Sequence, residues 1–99
     1  MSTEYITKIS FRSQLPREQV VAVMIERMPA FSKLTGLAQK YYVETGEPDT
    51  YSGIYCWTSK EAMEAYLKMP LRESIARAYQ TDKEPRIEVM SVVSTLRPQ

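Results

Sequence analysis

Leu37-Ala38-Gln39-Lys40-Tyr41-Tyr42-Val43-Glu44-Thr45 is followed by Gly46-Glu47-Pro48-Asp49, and then by Tyr51-Ser52-Gly53-Ile54-Tyr55-Cys56-Trp57. Both flanking runs are rich in aromatic and β-branched residues, and the residues between them are turn formers. This is the pattern of a β-hairpin, with Gly36 opening its first strand. Thr58-Ser59-Lys60-Glu61 comes next and matches a capping box. The Thr58 hydroxyl can accept from the Glu61 N–H while the Glu61 side chain reaches back. A helix is therefore expected to start where the hairpin ends, with Ala62, Met63, Tyr66 and Leu67 turned inward.

Working outward from the hairpin, Tyr5, Thr7, Ile9 and Phe11 alternate with Ile6, Lys8 and Ser10, which predicts a strand. Pro16 suits a first helical position. Val20, Val21, Met24, Ile25 and Met28 then recur at helical spacing, with Arg17, Glu18, Glu26 and Arg27 on the other side. That predicts an amphipathic helix that Pro29 ends or kinks. Downstream, Pro70 breaks the second helix, Leu71, Ile75, Ala78 and Tyr79 form a further helical stripe, and Thr81 to Pro85 is a loop. Arg86 to Leu96, rich in valine, predicts a last strand. The order β-α-β-β-α-β predicts an α+β, ferredoxin-like fold over residues 1–99 as one domain. In that fold two right-handed crossovers give a four-stranded antiparallel sheet with the helices on one face.

The strands carry large apolar groups at both parities. Leu37, Tyr41 and Val43 alternate with Ala38 and Tyr42. Tyr51, Tyr55 and Trp57 alternate with Ile54 and Cys56, and Ile87, Val89 and Val93 alternate with Met90 and Val92. A sheet face open to water reads as polar. The face without helices is therefore expected to meet a second copy, giving a homodimer of two-fold symmetry.

Composition closes several function classes. The chain has 99 residues, no histidine and one cysteine. Histidine-based triads, His-ligated metal or haem, internal disulfides and Cys-built zinc sites are excluded. Its two aspartates, Asp49 and Asp82, sit in expected loops, so no metal site is expected. The net charge of +1 supplies no field for nucleic acid or an anionic membrane. No apolar run approaches the ~20 residues of a membrane span, and Met1-Ser2-Thr3-Glu4 does not begin a signal peptide. A cytoplasmic location is the expectation.

Candidate site residues come from the aromatic strands and the facing helices. Tyr42, Tyr55 and Trp57 can wall a flat apolar pocket, with hydroxyls and an indole N–H to direct a ligand. Core packing is the competing reading. Lys40, set among apolar residues, is a candidate base if desolvation lowers its pKa; the competing reading is an edge-strand charge with a solvated head. Glu44 shares the parity of Lys40 but lies too far along the strand to pair directly at about 3.3 Å per residue. Tyr66 and Tyr79 can close such a pocket from the helices. Met24, Met28, Met63 and Met69 form an adaptable apolar set suited to lining it or to filling the core. Cys56 reads as a small buried hydrophobe.

Gly36-Leu37, Lys40, Tyr42 and Glu44, then Ser52-Gly53-Ile54-Tyr55, Thr58-Ser59-Lys60-Glu61-Ala62 and Ala65-Tyr66-Leu67 resemble the YdhR-type monooxygenase family of the dimeric α+β barrel superfamily. The resemblance runs from about Gly36 to Pro98 and implies the fold and the dimer. It also implies chemistry without a cofactor. In cofactor-free relatives a small aromatic substrate lies between sheet and helices, where Trp, Tyr, Arg and Asn side chains position it for dioxygen. This chain contains no Asn. Haem-degrading relatives use a His that is also absent here.

The expected function is cofactor-independent monooxygenation of a small aromatic or polyketide-like molecule. Lys40, Tyr42 and Trp57 are the expected catalytic set, and Tyr55, Tyr66, Met24, Met28 and Met63 the expected substrate contacts. A non-catalytic ligand-binding dimer is the alternative. RNA-recognition domains share the element order, but Tyr51–Trp57 lacks their basic residue and second glycine.

Overall fold

The computed structural model describes residues 2–97; Met1, Pro98 and Gln99 lie outside the described residues. The elements are β1 (Tyr5–Arg12), α1 (Arg17–Ser32), β2 (Leu37–Glu44), β3 (Thr50–Trp57), α2 (Lys60–Leu67), α3 (Pro70–Glu73), α4 (Ile75–Tyr79) and β4 (Arg86–Ser91). The strands form one antiparallel sheet in the order β2-β3-β1-β4, and the chain has the expected α+β ferredoxin-like fold.

Register assigns the two faces. Thr7 lies opposite Tyr55, Ile9 opposite Gly53 and Phe11 opposite Tyr51, all on the face that the helices cover. Thr7, Ile9, Tyr51, Tyr55 and Trp57 are buried there, joined from the helices by Val20, Phe31, Met63, Tyr66, Ile75 and Tyr79. The one polar side chain at the centre of this layer, Thr7, accepts a 3.0 Å hydrogen bond from the Trp57 indole N–H, so neither group is left unsatisfied. On the opposite face Ile6, Ile54, Cys56, Val43, Tyr41 and Met90 lie beside Lys8, Ser10, Ser52 and Glu88. Tyr41 and Met90 are exposed on it.

Four sequence expectations change. First, strict alternation fails in β2. Leu37 pairs with Trp57, whereas Gln39 pairs with Cys56, leaving Ala38 as an extra residue. This bulge puts Leu37 on the helix-covered face together with Lys40, Tyr42 and Glu44, and Tyr41 and Val43 on the other. Second, α1 runs through Pro29 to Ser32. Proline here withdraws a hydrogen bond only one turn before the end, and the Ser32 hydroxyl donates to the Pro29 carbonyl at 2.8 Å. Extending the helix brings Phe31 into the core, while Ile25 and Met28, expected inside, are exposed.

Third, the cap of α2 is Ser59. Its hydroxyl accepts from the Ala62 N–H at 3.1 Å, while the Thr58 hydroxyl donates to the Gly36 carbonyl at 3.3 Å. The helix starts one residue late because Thr58 is still tied to β2 through its own N–H and the Gly36 carbonyl. Fourth, β4 ends at Ser91. β1 offers partners only as far as Tyr5, with one further bond from the Val92 N–H to the Glu4 carbonyl. Val93 and Leu96 are left exposed.

Gly36 is the tightest point of the fold. Its φ of +82° favours glycine, and a Cβ there would collide with the Ala62 Cβ. Gly36→Ala should cost on the order of 2–4 kcal/mol and lower Tm by roughly 10 °C or more. Gly46→Ala, whose added Cβ meets nothing within 4 Å, should melt close to wild type in the same thermal scan.

Candidate active site

Between α1, α4 and the sheet lies a small cavity lined by Ile9, Phe11, Met24, Arg27, Phe31, Lys40, Tyr42, Tyr55, Ile75 and Tyr79, with Gly53 in its floor. Its volume is about 20 Å³, room for one water. On the side of the β2 edge an open groove of about 460 Å³ runs between α1 and β2. Phe31, Lys40 and Tyr42 line both spaces and form the partition between them.

The Lys40 side chain occupies an aromatic cage. Its Nζ lies 3.4 Å from the centroid of Phe31, 4.4 Å from Tyr42 and 4.5 Å from Tyr55. Gly53 makes this possible, since a Cβ there would come within 3.0 Å of the Tyr55 ring and 3.3 Å of the Lys40 Cε. Burial lowers the ammonium pKa from its usual 10.5 to about 7, and Arg27 adds repulsion. The ring faces pull the other way, because their quadrupoles attract the cation.

Arg27 enters the same space from α1. Its guanidinium carbon lies 5.7 Å from the Phe31 centroid and 5.8 Å from that of Tyr79. Nη2 donates to the Leu71 carbonyl at 3.3 Å and to the Ser74 hydroxyl at 3.1 Å, whereas Nε is buried without a hydrogen-bond partner. The tyrosines are held in the neutral form. Burial raises the Tyr42 hydroxyl, raises Tyr55 well above its usual value, and pushes Tyr66 and Tyr79 up to about 12. The Tyr66 hydroxyl donates to that of Tyr55 at 3.1 Å.

The structure thus brings together Lys40, Tyr42, Tyr55 and Met24 at the cavity. Met28 stands outside it, in the groove. Trp57, Tyr66 and Met63 are placed in the core behind the cavity wall. Trp57 lies parallel to Tyr55, with centroids 6.1 Å apart at 3°, and its N–H is taken by Thr7. Glu44 pairs with Arg17 at 2.7 Å on the exposed surface. Cys56 is half-buried on the other sheet face, and burial raises its thiol pKa.

Sequence reasoning missed Arg27 and Phe31. Arg27 sits among the charged residues of α1 and was expected on its solvent side; Phe31 follows a proline expected to end or kink the helix. The only available signal was spacing, since Arg27, Phe31 and Met24 lie three or four residues apart and share a helix face.

The family described as "Putative mono-oxygenase ydhR" matches residues 6–96. The chain belongs to this family. Among solved structures it is similar to a protein of unknown function from Nitrosomonas europaea, at TM-score 0.76 and 16% identity over 98% of this chain and 96% of that one. It is also similar to SnoaB, a cofactor-independent oxygenase from Streptomyces nogalater, at TM-score 0.75 and 17% identity over 98% and 100% of the two chains. The ActVA-Orf6 monooxygenase of Streptomyces coelicolor, solved with nanaomycin D, aligns at TM-score 0.72 and 13% identity over 98% and 94%. No curated protein matches the sequence. At these identities the structural likeness establishes the shared fold. Among the described residues no helix is long and apolar enough to cross a membrane, and no cluster of His, Cys, Asp or Glu could hold a metal ion.

The caged lysine gives stability a distinct pH dependence. Below about pH 7 Lys40 is protonated in both folded and unfolded chains, and the folded state bears the full cost of burying the charge. Above it the folded protein sheds the proton while the unfolded chain keeps it to near 10.5. The unfolded state then binds more protons, so this group's contribution to stability rises with pH. In urea titrations wild type should gain stability relative to Lys40→Met from about pH 7 to about 9.5, short of the unfolded tyrosines' ionisation. At pH 6 Lys40→Met should be the more stable of the two.

Proposed function

We propose that this protein is a cofactor-independent monooxygenase acting on a small, electron-rich aromatic or polyketide-like substrate held between α1 and the sheet. The observation that carries the reading is the Lys40 amine. It is the one group in the cavity lining that changes protonation near neutral pH, and it faces aromatic rings. Family membership and the named activities of SnoaB and ActVA-Orf6 support the reaction class.

The chemistry fits an anthrone or hydroquinone-type substrate. The neutral Lys40 amine takes a proton from the substrate, leaving a delocalised carbanion or phenolate beside Lys40 and Arg27, both now cationic. That anion passes one electron to dioxygen. The radical pair combines into a C–O bond, giving a hydroperoxide once a proton returns, and loss of water leaves a ketone. For an anthrone the sum is one CH2 and one O2 giving one C=O and one H2O, with all electrons drawn from the substrate. Tyr42 and Tyr55, kept protonated, supply neutral hydroxyls and flat walls that orient the ring. Trp57 and Tyr66 back Tyr55 and fix its position. A base so placed contributes about 10²–10⁴-fold.

Substrate binding requires the partition of Phe31, Lys40 and Tyr42 to part, joining the cavity to the groove. A dioxygen electrode with a panel of anthrones and hydroquinones tests the reading. Oxygen should disappear in a one-to-one ratio with anthrone converted, faster as pH rises through 7 and level above it, and Lys40→Met should lower kcat at least 100-fold. Ligands that raise Tm yet are never consumed would instead place the protein among non-catalytic binding proteins.

We infer that the working unit is a homodimer joined through the helix-free sheet face, where Tyr41 and Met90 are exposed beside the half-buried Ile6, Ile54 and Val43. Sedimentation equilibrium at micromolar concentration should return twice the chain mass, and Tyr41→Glu should return the monomer's. A wild-type monomer would count against the dimer.

A further inference from the structure

Resting on that reading of the site, the structure points to the chemical class of its ligand. Two basic side chains, Arg27 and Lys40, line one apolar cavity whose lining contains no Asp or Glu. Both lie over the same ring, with the Arg27 guanidinium carbon 5.7 Å and the Lys40 Nζ 3.4 Å from the Phe31 centroid. Neither is in an ion pair among the described residues, where the pairs are Arg17–Glu44 and Arg86–Glu88. Taking cations out of water without counter-charges is costly, and like charges in one small space add to the cost. The Arg27 Nε–H, buried and unpartnered, is a donor that the protein itself does not satisfy.

We propose that the ligand is an aromatic acid, and that its carboxylate docks on Arg27 while its ring system lies against Phe31, Tyr42 and Tyr55. The carboxylate supplies the missing counter-charge and accepts from the Nε–H. A guanidinium suits this task better than an ammonium because its planar donors match a carboxylate's geometry. Arg27 is preset for it, since Nη2 is fixed by the Leu71 carbonyl and the Ser74 hydroxyl. The ring has a path as well. The groove of about 460 Å³ shares Phe31, Lys40 and Tyr42 with the cavity, so a ring system too large for the closed hollow can lie across the partition with its acidic end inward. Arg27 would thereby select acidic aromatics over neutral ones of the same shape, a role separate from the proton transfer assigned to Lys40.

Anthraquinone-2-carboxylate and its methyl ester, which do not react with dioxygen, separate charge recognition from turnover. Titrated into the full-length protein with intrinsic fluorescence as the readout, the carboxylate should bind at least tenfold more tightly than the ester. Arg27→Gln should abolish that preference by weakening acid binding at least tenfold, and Arg27→Lys should keep part of it. Equal affinity of wild type for acid and ester, a preference that survives in Arg27→Gln, or binding of neither compound would overturn the inference. Should Arg27→Gln fail to fold by circular dichroism, the wild-type pair and Arg27→Lys decide. A charge preference in a protein that never consumes dioxygen would sink the oxygenase reading and leave this inference standing. Dioxygen-consuming turnover by a protein that binds acid and ester equally would do the reverse.

Discussion

One extra residue in β2 sets the terms for the rest of the site. At Ala38 the edge strand takes an additional step, so that Leu37, Lys40, Tyr42 and Glu44 all share the helix-covered face. Without that step, the register anchored by Leu37 opposite Trp57 would turn Lys40 and Tyr42 to the helix-free side and bring Gln39, Tyr41 and Val43 under α1. Everything the cavity does depends on this register. It lays the lysine across Gly53, where the lack of a Cβ gives its stem room, and ends its ammonium among Phe31, Tyr42 and Tyr55.

The site is electrostatically lopsided. Its tyrosines are kept neutral by burial, its lining holds no carboxylate, and its two basic groups lie near the same aromatic ring. Such a space favours anions over cations. It also tunes a lysine to lose its proton under ordinary conditions, which is how burial makes a usable base from a weak acid. The cavity has little free volume, because the Lys40 side chain lies within it.

Behind the site, support comes from aromatic packing rather than from ion pairs. Tyr55 is stacked on Trp57 and bonded by Tyr66, and Trp57 is anchored to Thr7 on the adjacent strand β1. Both ion pairs among the described residues lie on the exposed surface, where such contacts contribute little. The cost of burying Lys40 and Arg27 is therefore offset by the surrounding apolar burial, a trade seen where a site is shaped for binding more than for stability.

The amino-acid sequence by itself determined the element order, the hairpin, the ferredoxin-like topology and the central aromatic residues. Those follow from alternation, helical spacing and turn chemistry, which act over a few residues. It singled out Lys40 by its setting in an aromatic strand. Only the tertiary structure decided that Phe31 and Arg27 join the lysine, that Trp57 lies behind the wall, and that Met28 stands outside. Those outcomes hinge on a one-residue bulge, on a helix that continues past Pro29, and on contacts between residues far apart in the chain. Local pattern cannot carry them, because a shift of one residue reverses a strand's faces, and a single added turn of α1 brings an aromatic ring over the site.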